Sequence, residues 1–315
     1  MKKVINREHI EGWVYDHNLA LKTVQNTESK NFGKEFIGGT LDIQTDDEGC
    51  NIVTVNFTYV TEMTAKGTKN ATFAVLKNII EGAKTVLSDG RDAAMMVRVD
   101  TALALNDFYT TRNGEEELVQ AKRNEGGFVS QINKLNPTDR STFEFDMLIN
   151  GTRFVDENEE TGAPEYLVVK GAVFNFKNAM LPVELVVKSK SGIDYFSSLE
   201  ASASNLVFTR VKGNIASQVT SVKREEESAF GEPSVREYTR TVREWVITWA
   251  ASEPYEIGDE TNGITVDEIK KALADREVYL ADVKKRQDEY QATKNATHAA
   301  TPSAGTTAAA GAFNF

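Results

Sequence analysis

The sequence is poor in the residues that disulfides, metal sites and membrane helices require. Of its 315 residues, one is cysteine, Cys50, and three are histidine. A single cysteine excludes an intramolecular disulfide, and neither it nor the histidines have partners at the spacing of a metal site. No stretch approaches the ~18 consecutive apolar residues of a membrane helix. The sequence therefore predicts no metal site and no membrane association.

Motifs of enzymes and of cofactor-binding proteins are also absent. There is no phosphate-binding glycine-rich loop ending in Lys-Ser/Thr, no dinucleotide-binding glycine pattern after a strand, and no Gly-x-Ser-x-Gly nucleophile elbow. Runs of carboxylates, such as residues 46–48 and 115–117, fall in predicted loops and are interpreted as solvated charges. We therefore predict a protein with no catalytic residues and no cofactor.

Basic residues are the minority charge, with 36 Lys and Arg against 47 Asp and Glu and a net charge of −11. This balance argues against a general binder of polyanions, because neutralising phosphates requires Lys and Arg. It does not argue against a local basic groove, since the distribution of charge decides binding.

What the sequence does contain is a repeated order of β-strands. Residues 51–60 alternate between apolar and polar with period two, as a half-buried strand does. The order strand, long loop, glycine-containing strand, strand, helix and two strands occurs twice, with Gly39 in the first cycle corresponding to Gly171 in the second. This is the order of an OB-fold barrel. Two generic small β-barrels or sandwiches are the alternative.

The predicted fold is mainly β with minor α: two tandem OB-like β-barrels, a C-terminal helix and a disordered tail. The predicted helices inside the two barrels cover residues 72–86 and 193–202. The predicted boundaries are 1–135 for the first barrel, 141–258 for the second, 265–291 for the C-terminal helix and 292–315 for the tail.

The C-terminal helix is predicted from a capping box, in which Thr265 is the N-cap and Glu268 follows three residues later. A narrow apolar stripe on it is expected to dock on the second barrel or on another subunit; its members are Ile269, Leu273, Leu280 and Val283. The tail is rich in Ala, Thr, Ser and Gly and cannot bury enough apolar surface to order. It ends with Phe313 and Phe315, which form either a partner-docking peptide or part of an inert tail.

Aromatic and basic residues on the predicted β-strands indicate binding of single-stranded nucleic acid, because bases stack on aromatic rings and phosphates follow a positive groove. The candidates in the first barrel are Trp13, Tyr15, Lys22, Lys34, Tyr59, Arg98, Tyr109 and Arg112. The candidates in the second barrel are Arg210, Lys212, Arg236, Tyr238 and Arg240. The last three share one face of a strand. Barrel core is the alternative role of most of the aromatic residues, and cross-strand ion pairing is that of Arg236 and Arg240.

Several of these runs resemble a known family. GWV at residues 12–14, FIGGTLDI at 36–43 and NIVTVNF at 51–57 resemble the opening strands of OB-fold single-stranded-DNA-binding proteins. The pattern is similar to tandem-OB proteins of bacteriophages and mobile elements of Gram-positive bacteria, and it extends over residues 5–290. The resemblance implies binding residues on the barrel strands and on the hairpin at 223–238. The family often ends in a partner-recruiting tip, but this tip lacks the acidic residues of the bacterial version.

Two functions from different classes are consistent with the sequence. The first is sequence-tolerant binding of single-stranded DNA, with RNA not distinguished, during replication or recombination in the cytoplasm (of the host, if phage-encoded). Replication proteins would then be partners through the tail, and the sequence also allows a homo-oligomer. The alternative is a non-enzymatic structural or assembly protein, a virion component or scaffold, which the net charge of −11 favours.

Overall fold

The computed structural model describes residues 4–157, 164–226, 234–259, 261 and 263–299, and for residues 218–226, 234–241 and 294–299 it describes the backbone alone. Phe313, Phe315 and the rest of the predicted tail beyond residue 299 lie outside this part of the chain. Within these ranges, no helix combines the length and the apolar character needed to cross a membrane. The fold is mainly β, as predicted.

The first barrel contains all the elements up to residue 131. They are β1 (Asn6–His17), β2 (Ala20–Thr23), β3 (Glu35–Gln44), β4 (Ile52–Thr61), α1 (Ala71–Ile80), α2 (Val86–Asp89), β5 (Met96–Arg112) and β6 (Glu115–Gln131). The antiparallel pairs are β1–β3, β1–β5, β3–β4 and β5–β6, and β4 pairs with β6 in parallel. These pairings close a five-stranded barrel with an added short strand, β2, and with helices between its third and fourth strands. This arrangement is an OB-like barrel.

The second barrel repeats that connectivity. Its elements are β7 (Ser141–Val155), β8 (Tyr166–Phe174), β9 (Met180–Val187), α3 (Lys190–Ser198), β10 (Val207–Glu226) and β11 (Ser234–Ala250). The antiparallel pairs are β7–β8, β8–β9, β10–β11 and β7–β10, and β9 pairs with β11 in parallel. The repeated order of strands predicted two such barrels, and the fold confirms it.

The corresponding glycines occupy equivalent places in the two barrels. An added Cβ at Gly39 would overlap the carbonyl oxygen of Asn18, and one at Gly171 would overlap that of Leu148. Asn18 directly follows β1, and Leu148 lies in β7. In each barrel the glycine lies on the second strand and comes very close to the backbone at, or just after, the first strand. Only a residue without a side chain permits this approach.

The two barrels are joined edge to edge. β1 and β7 pair antiparallel, from Asn6 opposite Phe145 to Ile10 opposite Ser141. All strands therefore belong to one 11-stranded sheet, and one apolar core extends through both barrels. The domain boundary between residues 135 and 141 stays a prediction.

A buried carboxyl group lies at this join. Glu8 is fully buried and accepts hydrogen bonds from the Trp245 indole nitrogen at 2.9 Å and from the Thr101 hydroxyl at 2.7 Å. Loss of hydration raises the pKa of Glu8 to about 7, although the bonds from Trp245 and Thr101 act in the opposite direction. The contact from Trp245 to Glu8 connects the second barrel to the first.

The two inner helices are placed differently from their predicted bounds. Asn70 caps α1 by accepting a bond from the Thr72 backbone, and the helix ends at Ile80 rather than at residue 86. Gly82 follows with a φ of +115°, a conformation that stops the helix. α3 starts three residues before the predicted position 193, because the Ser189 side chain caps it by accepting from the Gly192 backbone.

The C-terminal helix, α4 (Val266–Ala299), begins at the predicted capping box. The Thr265 hydroxyl accepts a bond from the Glu268 backbone at 3.2 Å, and the Glu268 carboxylate accepts one from the Thr265 backbone at 2.9 Å. The helix continues past the predicted end at residue 291. Alanine, which opens the low-complexity segment, is also the best helix former, so composition alone did not mark the end of the helix.

The face by which α4 docks matches the predicted apolar stripe in part, because Ile269 is buried and Leu280 and Val283 are half-buried, but Leu273 is exposed. Ile269 and Ala272 are buried with Phe174 and Phe208 on the outside of the second barrel, whereas Leu273 is 49% exposed. One turn further, the Arg276 guanidinium binds the Asp107 carboxylate of β5, with nitrogen–oxygen distances of 2.8 and 2.5 Å. α4 therefore contacts both barrels, and it does so partly through an arginine that an apolar pattern does not reveal.

Candidate nucleic-acid interface

The outer face of β2, β3 and β4 gathers aromatic and basic side chains. Lys22 is opposite Phe36 on β3, and Phe36 is opposite Thr61 on β4. Opposed residues of antiparallel strands project to the same side of the sheet. The Phe36 and Tyr59 rings contact each other with their centroids 4.7 Å apart. We call this surface, formed by Lys22, Lys34, Phe36, Tyr59 and Thr61, the β2–β4 face.

Tyr59 belongs to this face because the alternation of β4 breaks before it. The sequence predicted Tyr59 on the same face as Val53, Val55 and Phe57. Those three are buried in the barrel, but Tyr59 is 44% exposed. Thr58 and Tyr59 are exposed in succession, next to an irregularity in the β3–β4 register. The shift moves the tyrosine out of the core and makes it accessible.

The loop before β3 forms one wall of a shallow hollow at this face. The hollow has a volume of about 610 Å³, and Asn31, Lys34, Tyr59 and Met63 are among its lining residues. The Lys34 ammonium donates to the Asn31 side-chain oxygen at 3.0 Å. An amide leaves the positive charge uncompensated, so Lys34 remains able to attract an anion.

The predicted basic residues of the first barrel differ in whether they form an ion pair. Lys22 and Arg112 are exposed and form no ion pair with any residue that the structure describes. Arg98, in contrast, binds the buried Glu11 carboxylate with a nitrogen–oxygen distance of 3.0 Å. Arg112 ends β5 at the tight turn through Asn113 and Gly114, whose φ angles are positive as in a type I′ hairpin.

Trp13 and Tyr15 are half-buried in β1. The guanidinium groups of Arg91 and Arg140 lie over the Trp13 ring, 5.3 and 5.4 Å from its centroid. Tyr15 lies at a bulge in the pairing of β1 with β3. Because arginines of the same chain occupy the Trp13 ring, this tryptophan is a weaker stacking candidate than Tyr59.

Tyr109 forms part of the contact with α4. The Gln287 side chain accepts a bond from the Tyr109 backbone nitrogen at 2.8 Å and donates one to its carbonyl oxygen. The Lys284 ammonium lies 5.5 Å from the Tyr109 ring centroid. The helix therefore covers the corner that the sequence predicted as a stacking site.

In the second barrel, carboxylates neutralise two of the predicted cations, Arg210 and Lys212. Arg210 binds Asp146 at 2.8 Å, and both Arg210 and Lys212 lie within ion-pair distance of Glu144, at 3.7 and 3.4 Å. Lys212 also lies 5.2 Å from the ring centroid of Trp249. These ion pairs connect β10 to the neighbouring strand β7, where Asp146 lies opposite Arg210 and Glu144 opposite Lys212.

Arg236, Tyr238 and Arg240 lie on β11, in the long hairpin that it forms with β10. Their backbone partners on β10 are Arg224, Val222 and Thr220, in that order. The side chains of this part of the hairpin lie outside the described part of the chain, so their role in binding stays a prediction.

Sequence reasoning missed Phe36, the residue against which Tyr59 packs. Ile43, Leu41 and Ile37 are buried on β3, and counting back from Ile43 in steps of two predicts that Phe36 points outward. This alternation is visible in the sequence and could have identified Phe36 as a surface residue. In the part of the chain that the structure describes, no group of three or more His, Cys, Asp or Glu side chains is arranged to hold a metal ion.

Comparison with known proteins gives a remote likeness in structure and a match to one family. The single-stranded DNA binding protein from Thermus aquaticus superposes with a TM-score of 0.47 at 10% identity, covering 83% of this chain and 98% of that one. A deletion mutant of the same Thermus protein gives 0.46 at 10% identity, covering 82% and 100%. No curated protein matches in sequence. The YorF family model matches residues 6–286, and the chain therefore belongs to the YorF family.

Proposed function

We propose that this protein binds single-stranded DNA without sequence preference, and that the β2–β4 face is its primary contact surface. Bases stack on the Phe36–Tyr59 pair, and the Lys22 and Lys34 ammonium groups contact phosphates. The protein performs no catalysis, and the role that fits such binding is protection of displaced strands during replication or recombination.

The observation that carries this proposal is the contact between the half-buried Phe36 and the exposed Tyr59, next to cations that no described carboxylate neutralises. In OB-folds, the outer surface of the second and third strands and the loop between the first two strands bind oligonucleotides. In this barrel those strands are β3 and β4, and the loop is residues 24–34. The net charge of −11 does not oppose the proposal, because the local charge at the face decides binding.

The second candidate is an assembly protein, and two exposed aromatic side chains favour it. Phe128 is 78% exposed and Phe176 is 91% exposed. Large apolar side chains at a surface often mark contacts with other proteins. Phe128 lies on β6 and Phe176 follows β8. The one cation recorded over either ring in the described part of the chain is Lys177, whose ammonium lies 5.5 Å from the Phe176 ring centroid.

The test is a fluorescence-anisotropy titration of the full chain against labelled oligo-dT at low and moderate salt, with a duplex of equal length as control. We expect binding of the single strand that weakens as salt rises, because phosphate contacts release counterions, and weak or no binding of the duplex. Replacing oligo-dT by oligo-U tests whether DNA or RNA is preferred. No binding at low salt, together with oligomers in light scattering, would replace this proposal by the assembly function.

A further inference from the structure

We infer that the cleft between the two barrels binds the phosphate backbone of a strand that extends beyond the β2–β4 face, so that both barrels contact one strand. This inference rests on the proposed function. The cleft has a volume of about 360 Å³, and we call it the interbarrel cleft. Among its lining residues are Thr40, Asn56, Arg123, Asn124, Ser217 and Arg243.

Two arginines, one from each barrel, give the cleft a positive charge. Arg123 lies on β6 of the first barrel, and Arg243 lies on β11 of the second. Neither forms an ion pair or a hydrogen bond with any residue in the described ranges. Arg210 of the same chain shows the usual alternative, since carboxylates neutralise it. Two uncompensated guanidinium groups that line one cleft favour an anion, and arginine binds phosphate oxygens in bidentate geometry.

The neighbouring Lys122 has a structural role. Its ammonium group donates to the Glu184 carbonyl oxygen at 2.7 Å and lies 4.7 Å from the Trp245 ring centroid. Burial lowers the pKa of Lys122. This lysine therefore holds the wall of the cleft, and the charge available to a ligand comes from Arg123 and Arg243.

Two residues that line the same cleft, Asn124 and Ser217, have buried polar side-chain atoms without a partner in the described part of the protein. Asn124 and Ser217 are 6% and 4% exposed, and the Asn124 side-chain oxygen and the Ser217 hydroxyl have no hydrogen-bond partner in the described part of the protein. The rest of each residue is held in place: the Asn124 amide nitrogen donates to the Thr54 carbonyl oxygen at 2.8 Å, and the Ser217 backbone nitrogen donates to the Asn51 side-chain oxygen at 2.6 Å.

Such atoms are suited to a nucleotide. Buried polar atoms are rarely left unpaired, so a ligand or water is their expected partner. The Ser217 hydroxyl can donate to a phosphate oxygen, and the Asn124 oxygen can accept a hydrogen bond from a base. Ser217 is directly opposite Arg243 in the β10–β11 register, so the hydroxyl and the guanidinium project to the same side of the hairpin.

The cleft continues the β2–β4 face. Along the outer surface of β3 and β4, the pair formed by Phe36 and Thr61 leads to the pair formed by Thr40 and Asn56, which lines the cleft. Phe36 and Thr40 are four positions apart on β3, a distance of about 13 Å. A short DNA strand can therefore occupy the β2–β4 face alone, and a longer DNA strand reaches Arg123 and Arg243.

The test measures the affinity of the full-length variants Arg123→Ala and Arg243→Ala for two lengths of labelled oligo-dT. The shorter strand has about 4 nucleotides, the lower limit for one OB-fold, and the longer about 25. We expect each variant to bind the longer strand about tenfold more weakly, the effect of removing a charge-assisted hydrogen bond, and to keep the wild-type affinity for the shorter one. The slope of log affinity against log salt should fall by about 0.7 for each phosphate that is no longer neutralised.

Lys271→Ala is the matched control, since it removes one exposed positive charge from α4, away from the cleft. It should leave both affinities unchanged. Wild-type affinity of both arginine variants for the longer strand would overturn the inference and leave the proposed function standing. An equal loss for both lengths would also overturn it, because the cleft would then be part of the primary site. If the wild-type protein binds neither strand, the proposed function itself fails.

Discussion

The two barrels have the same connectivity but expose different surfaces on equivalent strands. In the first barrel, the outer face of β3 and β4 is open and displays Phe36 and Tyr59. In the second, Phe174 of β8 is fully buried in a cluster with Ile264, just before α4, and Ile269 of α4. The comparison shows that a shared topology does not assign a shared role, because an added helix closes one face and leaves the other accessible.

The equivalent faces of the two barrels also differ in whether their lysines are paired with carboxylates. Lys170, on β8, lies 3.4 Å from the Glu184 carboxylate, while Lys22 beside β3 has no such partner among the described residues. A cation paired with a carboxylate offers little net attraction to a phosphate. The position of carboxylates on neighbouring strands, more than the number of lysines, therefore decides which face can bind an anion.

The largest expected effect comes from breaking the attachment of α4. Arg276→Ala leaves the Asp107 carboxylate, whose side chain is 1% exposed, without its ion-pair partner. We expect a loss of about 3–5 kcal/mol in the free energy of unfolding, measured by urea titration, because an unpaired buried charge is costly. Lys284→Ala removes the ion pair of the same helix with the exposed Glu116 and should cost much less, because solvent screens an exposed ion pair. Equal losses in both variants would contradict the assignment of Arg276 as the main anchor.

The next effect concerns the join between the barrels. The pKa of Glu8 is raised to about 7 from its ordinary value of 4.5, so the folded protein retains a proton that the unfolded chain loses. Stability therefore falls as pH rises from about 4.5 to 7 and stays low above that range.

Glu8→Gln removes this penalty, because its amide can accept from Trp245 and donate to the Thr101 hydroxyl. We expect the variant to be more stable at pH 8 by roughly 3 kcal/mol and nearly equal at pH 4.5, as measured by urea unfolding at both pH values. A variant that is less stable than the wild type at pH 8 would show that the ionised carboxylate is needed at the join.

A pair of tyrosine and tryptophan variants tests which barrel binds bases. Tyr59 and Trp249 are exposed to similar degrees, 44% and 48%, but Trp249 belongs to the second barrel. Tyr59→Ala should lower oligo-dT affinity about tenfold, because it removes ~1–3 kcal/mol of stacking, and Trp249→Ala should not change it. The reverse order in anisotropy titrations would move the primary site to the second barrel.

The smallest effect separates free from paired lysines. Lys22→Ala should lower the affinity for oligo-dT about threefold and reduce its salt dependence, since one phosphate is no longer neutralised. Lys170→Ala also removes one positive charge but acts on a lysine already paired with Glu184, so its affinity should equal that of the wild type. Equal losses in the two variants would indicate a general effect of net charge.

Local patterns predicted a large part of the fold. The period-two runs, the corresponding glycines Gly39 and Gly171 and the capping box at Thr265 all appear in the structure where the sequence placed them. These signals are local, since each depends on residues that are neighbours in the chain. The predicted helix that ends at Ile80 was too long, because the apolar spacing continues past the glycine that stops it.

The candidate site was less predictable, because it depends on contacts between distant residues. Arg98 and Arg210 were indistinguishable from Lys22 in the sequence, yet carboxylates from other strands bind the first two. Tyr109 was predicted as a base-stacking residue, but α4, more than a hundred residues later in the chain, packs against it.

The sequence by itself determined the strand order, the two OB-like barrels and the helix that follows them, because hydrophobic periodicity, glycines and caps act over a few residues. Only the tertiary structure decided which face stays open and which cations stay free. Those properties arise where α4 covers Phe174, where the β4 alternation breaks before Tyr59, and where Arg123 and Arg243 line one cleft between the barrels. Each depends on segments that are far apart in the chain, which no local pattern encodes.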